Sequence, residues 1–273
     1  MVFEQILDSD KVKTNAIHVF LLGILYVIIS YFVSSYFFEK YVSVVVLFTC
    51  TLLLVPSITV ILNMEEKIES KEGIKHFFHN HKDIFKIYFA LFKGIFFAFL
   101  LLGIWFGLSA FDYQLNFLQT RGDLTSEVIN DFILEDYSPR IDDALSLISQ
   151  NLFVVIIAFI LSLFYGAGAL FLLVLNASIF ATFLIYAAER VGNAFQMITL
   201  FFIHLIPELS GFLIAAIAGG IVSRAIVREK FGSQGFRNVM KDALVLLLIS
   251  AALIIIAAFL EVFVTARCVK WVI

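Results

Sequence analysis

Residues 152–188 read LFVVIIAFILSLFYGAGALFLLVLNASIFATFLIYAA, thirty-seven residues without a charge. An α-helix rises 1.5 Å per residue, so one helix over this stretch would be about 55 Å long. The hydrocarbon core of a bilayer is only about 30 Å thick. Glycine tolerates backbone conformations closed to other residues, and Gly166-Ala167-Gly168 stands near the middle. The stretch therefore predicts two crossings, about 152–166 and 169–188, with the turn at Gly166 and Gly168. Ser138-Pro139 is a good N-cap and first-turn pair, so the first crossing helix can start well before 152.

The rest of the chain is of the same kind. Of 273 residues, 62% are hydrophobic and 15% charged, and the mean hydropathy is +1.00. Soluble domains are about half apolar and about a quarter charged. Disorder is excluded by the excess of apolar surface. Lys+Arg 19 against Asp+Glu 22, with no basic stripe, excludes nucleic acid as a partner. Two cysteines, Cys50 and Cys268, exclude a disulfide-stapled secreted fold. Phe is abundant at 32 and Pro scarce at 3, which suits long unbroken apolar helices. Further spans are expected at about 16–38, 41–62, 87–111, 194–222 and 243–264. The fold class is an all-α, polytopic transmembrane bundle of about seven spans, placed in the cell membrane with the bilayer as its first partner.

Lys and Arg favour cytoplasmic loops. With the N-terminus inside, Lys11, Lys13, Lys67, Lys71, Lys75, Lys82, Lys86, Arg224, Arg228, Lys230, Arg237 and Lys241 are cytoplasmic. Lys40, Arg121, Arg140, Arg190, Arg267 and Lys270 are then outside. The bias places the N-terminus in the cytoplasm and the C-terminus outside, and it holds only if 152–188 crosses twice. No cleavable signal peptide is expected, because the first ten residues are acidic and polar. Residues 1–86 read as a transmembrane hairpin plus a cytoplasmic loop, and 87–273 as a five-span core. The cytoplasmic loop reads as an interfacial amphipathic helix. Ile74, Phe77, Phe78 and Phe85 would face lipid, and its lysines the anionic headgroups. His76, His79 and His81 lie among those lysines, and metal binding there is the alternative to the amphipathic helix. The outer loop 112–150 holds eight acids: Asp112, Asp123, Glu127, Asp131, Glu135, Asp136, Asp142 and Asp143. It reads either as a solvated connector or as a docking surface for an extracytoplasmic partner. Val128, Ile129, Phe132 and Ile133 have helical spacing within it.

An ionisable residue inside a span is costly, by roughly 2.5–3.5 kcal/mol on insertion scales, and is a functional hypothesis by default. His204, Glu208 and Glu261 are the three that stand out. His204 and Glu208 are four apart and share a helix face. The same face continues as Gly211, Ala215, Gly219 and Ser223, small residues that let another helix approach. Pro207 removes a helix hydrogen bond beside the polar pair. By the topology above, Glu261 reaches the outer part of the bilayer as His204 does, so a cluster between the last two helices is expected to be available. It reads as a packing network, as a proton- or ion-handling site, or as a His-plus-carboxylate metal site. One imidazole is a thin zinc set and no H-E-x-x-H run is present, so no resident metal is expected. Asn151 and Asn176 are the other polar residues at membrane depth, Asn176 in need of an interhelical partner. Gly103-x-x-x-Gly107 reads as a close-packing face, and Gly23 stands isolated in the first span.

Taken in order, these residues resemble the stage II sporulation protein M family. The resemblance rests on NLFVVIIAFILSLFYGAGALFLLVLNASIF at 151–180, HLIPELSGFLIAAIAGG at 204–220, AAFLEVFVT at 257–265 and GIWFG at 103–107. It covers about residues 87–266 and leaves the first two spans as an N-terminal addition. The family commonly has Gly after the His, where this chain has Leu205, and Gly after the second Asn, where it has Ala177. The resemblance implies a membrane scaffold that holds cell-wall-degrading partners. With no complete catalytic constellation, the leading expectation is a scaffold that recruits extracytoplasmic or membrane proteins. It needs no cofactor. Faces spaced as Gly-x-x-x-Gly serve between chains as readily as within one, so a homo-oligomer is a further expected partnership. Two rivals stand beside it. A transporter or ion-coupled permease would use His204, Glu208 and Glu261 as a relay. An intramembrane metal-dependent hydrolase would use Glu208 or Glu261 as base and His204 as ligand or acid.

Overall fold

The computed structural model describes residues 16–75, 77–120, 139–165, 169–190 and 194–265. Among them are eight α-helices and no strand. Helix α1 is Ala16–Phe37, α2 is Val42–Glu72 and α3 is Phe77–Phe106. A 3-10 turn at Glu39–Tyr41 joins α1 to α2 as the expected tight hairpin. Helix α4 is Asp112–Thr120, α5 is Ile141–Tyr165, α6 is Ala169–Arg190, α7 is Ala194–Arg228 and α8 is Gln234–Leu260. A π-helical turn, Glu261–Thr265, closes α8. Six of these helical segments are long and apolar enough to cross a membrane, and α6 adds a shorter apolar stretch at Leu170–Tyr186. The all-α, roughly seven-span bundle is therefore present. Helices α5 and α6 end and begin on either side of 166–168. Gly166, Gly168, His76 and the run Val128–Ile133 lie outside the described residues.

Several boundaries differ from the sequence reading. No separate interfacial helix covers 63–86. Helix α2 runs on past Leu62 for almost three turns, and α3 begins at Phe77. The break is local: Gly73 adopts φ 58, and its N–H bonds back to Glu69 O at 2.8 Å. With ψ at −145 this is a backbone conformation open essentially to glycine, and it stops the helix. Phe77 and Phe85 pack against the core instead of facing lipid, while Ile74 is exposed. The outer loop is also shorter than 112–150. Its first nine residues are α4, and α5 begins at Ile141, where the Asp143 side chain accepts a hydrogen bond from Arg140 N. The basic stretch after α7 is a short turn, and Arg237 and Lys241 belong to α8. Ser233 caps α8 by accepting from Phe236 N at 3.1 Å. Helix α7 is one continuous helix across Pro207.

Packing centres on α7, where every residue from Gly211 to Val222 is buried. Its small residues face two neighbours. A Cβ at Gly211 would meet Ile254 and the Ser250 carbonyl on α8, and one at Gly219 would overlap the Phe159 carbonyl on α5. Ser250 Oγ donates to Gly211 O at 2.8 Å across the α7–α8 seam. Gly103 works as expected, with Ile185 and Phe111 against it. Gly107 does not. Its Cβ would meet nothing within 4 Å, and its φ of 78 makes it the residue that ends α3. Gly23 is not isolated either: with Gly94 it brings α1 and α3 into backbone contact. One hydrophobic core runs without interruption from Val19 on α1 to Leu246 on α8.

Candidate functional site

Helix α7 carries His204 and Glu208 one turn apart, and the π turn carries Glu261 and Thr265. The α7–α8 packing aligns the two segments, and donor atoms of His204, Glu208 and Glu261 all lie within 4.8 Å of one another. His204 is buried, and both glutamates are partly exposed. His204 Nδ1 is 3.0 Å from Thr265 Oγ1, and Thr265 Oγ1 donates to Leu200 O at 3.4 Å. The Thr265 hydroxyl thus ties the imidazole of α7 to the π turn. The π turn is a rare element that often marks functional positions. The structure thus brings together the three ionisable residues that the spans exposed. Asn151, buried in α5, and Asn176, half-buried in α6, sit on other helices.

A second buried cluster lies at the opposite end of the bundle, and the sequence reading missed it. The extension of α2 carries Glu65, Glu66 and Glu69, all buried. His81 on the first turns of α3 is fully buried, with Nδ1 at 2.9 Å from Glu65 Oε1 and 3.2 Å from Glu69 Oε1. Its Nε2 is 2.9 Å from Asp242 Oδ2 on α8. Phe77 and Phe85 flank the imidazole. Glu66 pairs instead with Arg228 of α7 at 3.2 Å, and Arg228 also donates to Asn63 O. His79, by contrast, is exposed.

The missed signal is helical phase. Leu54, Ile58 and Leu62 form the buried stripe of α2, and Glu65 and Glu69 continue it at the same spacing. His81 precedes Ile84 and Tyr88 on the buried stripe of α3, and Asp242 follows Val239 on that of α8. Residues that continue a core stripe past the end of the apolar segment remain inside. Asp242 and Glu261 are nineteen residues apart, about 28 Å along a helix. The two clusters therefore stand about one hydrocarbon thickness apart, with apolar core between them.

Comparison with curated proteins and with solved structures gives no match in either. The family model described as Stage II sporulation protein M matches residues 94–266, from mid-α3 through the π turn and including His204, Glu208 and Glu261. With more than half of its length matched and its helices apolar enough to cross a bilayer several times, the chain is a multi-pass membrane protein that belongs to the stage II sporulation protein M family.

Proposed function

We propose that the protein is a scaffold of the cell membrane that recruits extracytoplasmic or membrane proteins through the acidic segment between α3 and α5. The observation that carries this reading is the placement of the polar groups. Secondary transporters hold substrate and coupling ions near the bilayer midplane, between elements that rock against each other. Here the midplane is a closed apolar core in which α7 touches the backbones of α5 and α8. Among the described residues, the two clusters of His with carboxylates stand near its two ends. Such a bundle is built to hold a fixed surface. The family likeness points the same way.

The test uses photo-cross-linking residues in the full chain in native membranes, placed between α4 and α5 in one set and on the exposed lipid face at Phe153 and Phe164 in another. The scaffold reading expects protein adducts from the first set that disappear when Asp123, Glu127, Asp131 and Glu135 are changed to Asn or Gln. Adducts that ignore the acids would sink it. A second reading rests on the convergence of His204, Glu208 and Glu261. Two carboxylates that close share a proton or a cation, as an ion-coupled permease requires. Glu208→Gln keeps a hydrogen-bonding group and removes the charge. It should leave the adducts intact if the cluster is packing, and should abolish ion flux in proteoliposomes if the cluster is a relay.

A further inference from the structure

We propose that Glu65, Glu69 and His81 bind one divalent first-row transition cation, with Asp242 as the positioning residue for the imidazole. The inference is independent of the scaffold reading. Three of these four residues precede the segment matched by the family model, so the site belongs to this chain's N-terminal addition and ties it to α8.

The first argument is charge. Three buried carboxylates face one imidazole, and even an imidazolium leaves an excess of negative charge away from water. A buried charge must be neutralised or paired. Arg228 does not help, because it is taken up by Glu66. The neutralising agent is therefore a proton or a cation.

Hydrogen-bond accounting admits either. Glu69 is only 1% exposed, its Oε1 lies 3.2 Å from His81 Nδ1, and its carboxyl is within reach of Asp242. A proton on Glu69 would be shared with the neighbouring Asp242 carboxylate. A cation uses the oxygens directly.

Geometry favours the cation. For ligands about 2.1 Å from an ion, neighbouring donors stand about 3.0 Å apart in an octahedron and about 3.4 Å apart in a tetrahedron. His81 Nδ1 is 2.9 Å from Glu65 Oε1 and 3.2 Å from Glu69 Oε1. Glu65 and Glu69 are one turn apart on α2 and present their carboxylates to the same point. The far side of the ring completes the pattern. A metal-ligating histidine nearly always donates its other N–H to a carboxylate, which fixes the tautomer. Asp242 Oδ2 stands 2.9 Å from Nε2 in that position. With Nε2–H given to Asp242, the Nδ1 lone pair points to the space shared with the glutamates. One imidazole and two carboxylates suit Mn2+ or Zn2+ better than the soft ions that thiolates select.

The experiment uses the full chain purified in detergent, stripped with a chelator and dialysed against Zn2+, with metal content measured by mass spectrometry. Mn2+ titration followed by electron paramagnetic resonance gives the affinity. The proposal expects one equivalent that is lost in His81→Ala and Glu69→Gln and kept in the double variant Glu208→Gln/Glu261→Gln. Asp242→Asn should weaken binding by about ten- to a hundredfold. Metal-free wild-type protein, or bound metal indifferent to Glu69→Gln and His81→Ala, overturns it. If those two variants do not fold, an unchanged affinity in Asp242→Asn, or no metal in the wild type, overturns it equally.

Discussion

A methyl group added at Gly219 would overlap the carbonyl oxygen of Phe159. Backbone cannot swing aside as a side chain can, so α5 and α7 must separate. Overpacking of this kind costs about 1–3 kcal/mol. Gly219→Ala should lower the melting temperature of the detergent-solubilised protein, and an unchanged value would mean that the seam is looser than described. The Glu66–Arg228 pair gives a second expectation. Glu66 is buried and Arg228 partly exposed. Arg228→Ala leaves a buried carboxylate unpaired and should cost about 1–3 kcal/mol. Adding Glu66→Gln should recover part of that loss, and a double-mutant cycle measures how much. At this scale the sequence was half legible. His204, Glu208 and Glu261 were conspicuous because a charge inside an apolar run has no cheap explanation. Glu65, Glu69, His81 and Asp242 were not, because they lie in segments where charge is expected on a solvated face.

Helices were easier to locate than to delimit. Hydropathy marks where lipid begins and ends, but a helix continues for as long as its backbone bonds and its buried stripe continue. Helix α2 is therefore about 46 Å long at 1.5 Å per residue, well beyond the hydrocarbon. The same rule starts α3 at Phe77 and α8 at Gln234, so the two polar loops read from hydropathy are mostly helix ends. Gly73 is what separates α2 from α3. Its φ of 58 is strained for any residue with a Cβ, and a Cβ there would also lie 3.2 Å from Asn238. Gly73→Ala should cost about 1–2 kcal/mol and should speed amide hydrogen exchange over residues 69–75. Slow exchange in the variant would show that the turn is held by something other than this glycine. The glycines of Gly103-x-x-x-Gly107 teach the converse. One packs against α6 and the other ends a helix, a distinction that spacing cannot make.

For the whole molecule, the orientation carries its own expectation. Lys40 and Phe231 stand on turns at opposite ends of the bundle and are exposed, Phe231 strongly so. In a background with Cys50 and Cys268 changed to Ala, Lys40→Cys should react with an impermeant thiol reagent added outside cells. Phe231→Cys should react only after the membrane is opened. The reverse pattern would place the N-terminus outside and exchange the sides of the two clusters. The family match covers residues 94–266, yet the core is continuous from α1 to α8, so the first two helices are packed as intimately as the matched segment. The amino-acid sequence by itself determined the solvent of this protein, the number and rough position of its spans, and the three ionisable residues near one face. Those follow from transfer free energies, which act on each residue wherever it sits. Only the tertiary structure decided which buried stripes meet, that His204 and Glu208 face Glu261, and that carboxylates from α2 surround His81 against Asp242. Those depend on how helices distant in sequence dock. The docking rests on close backbone approach at Gly94, Gly211 and Gly219, and local pattern does not encode which helix each of them meets.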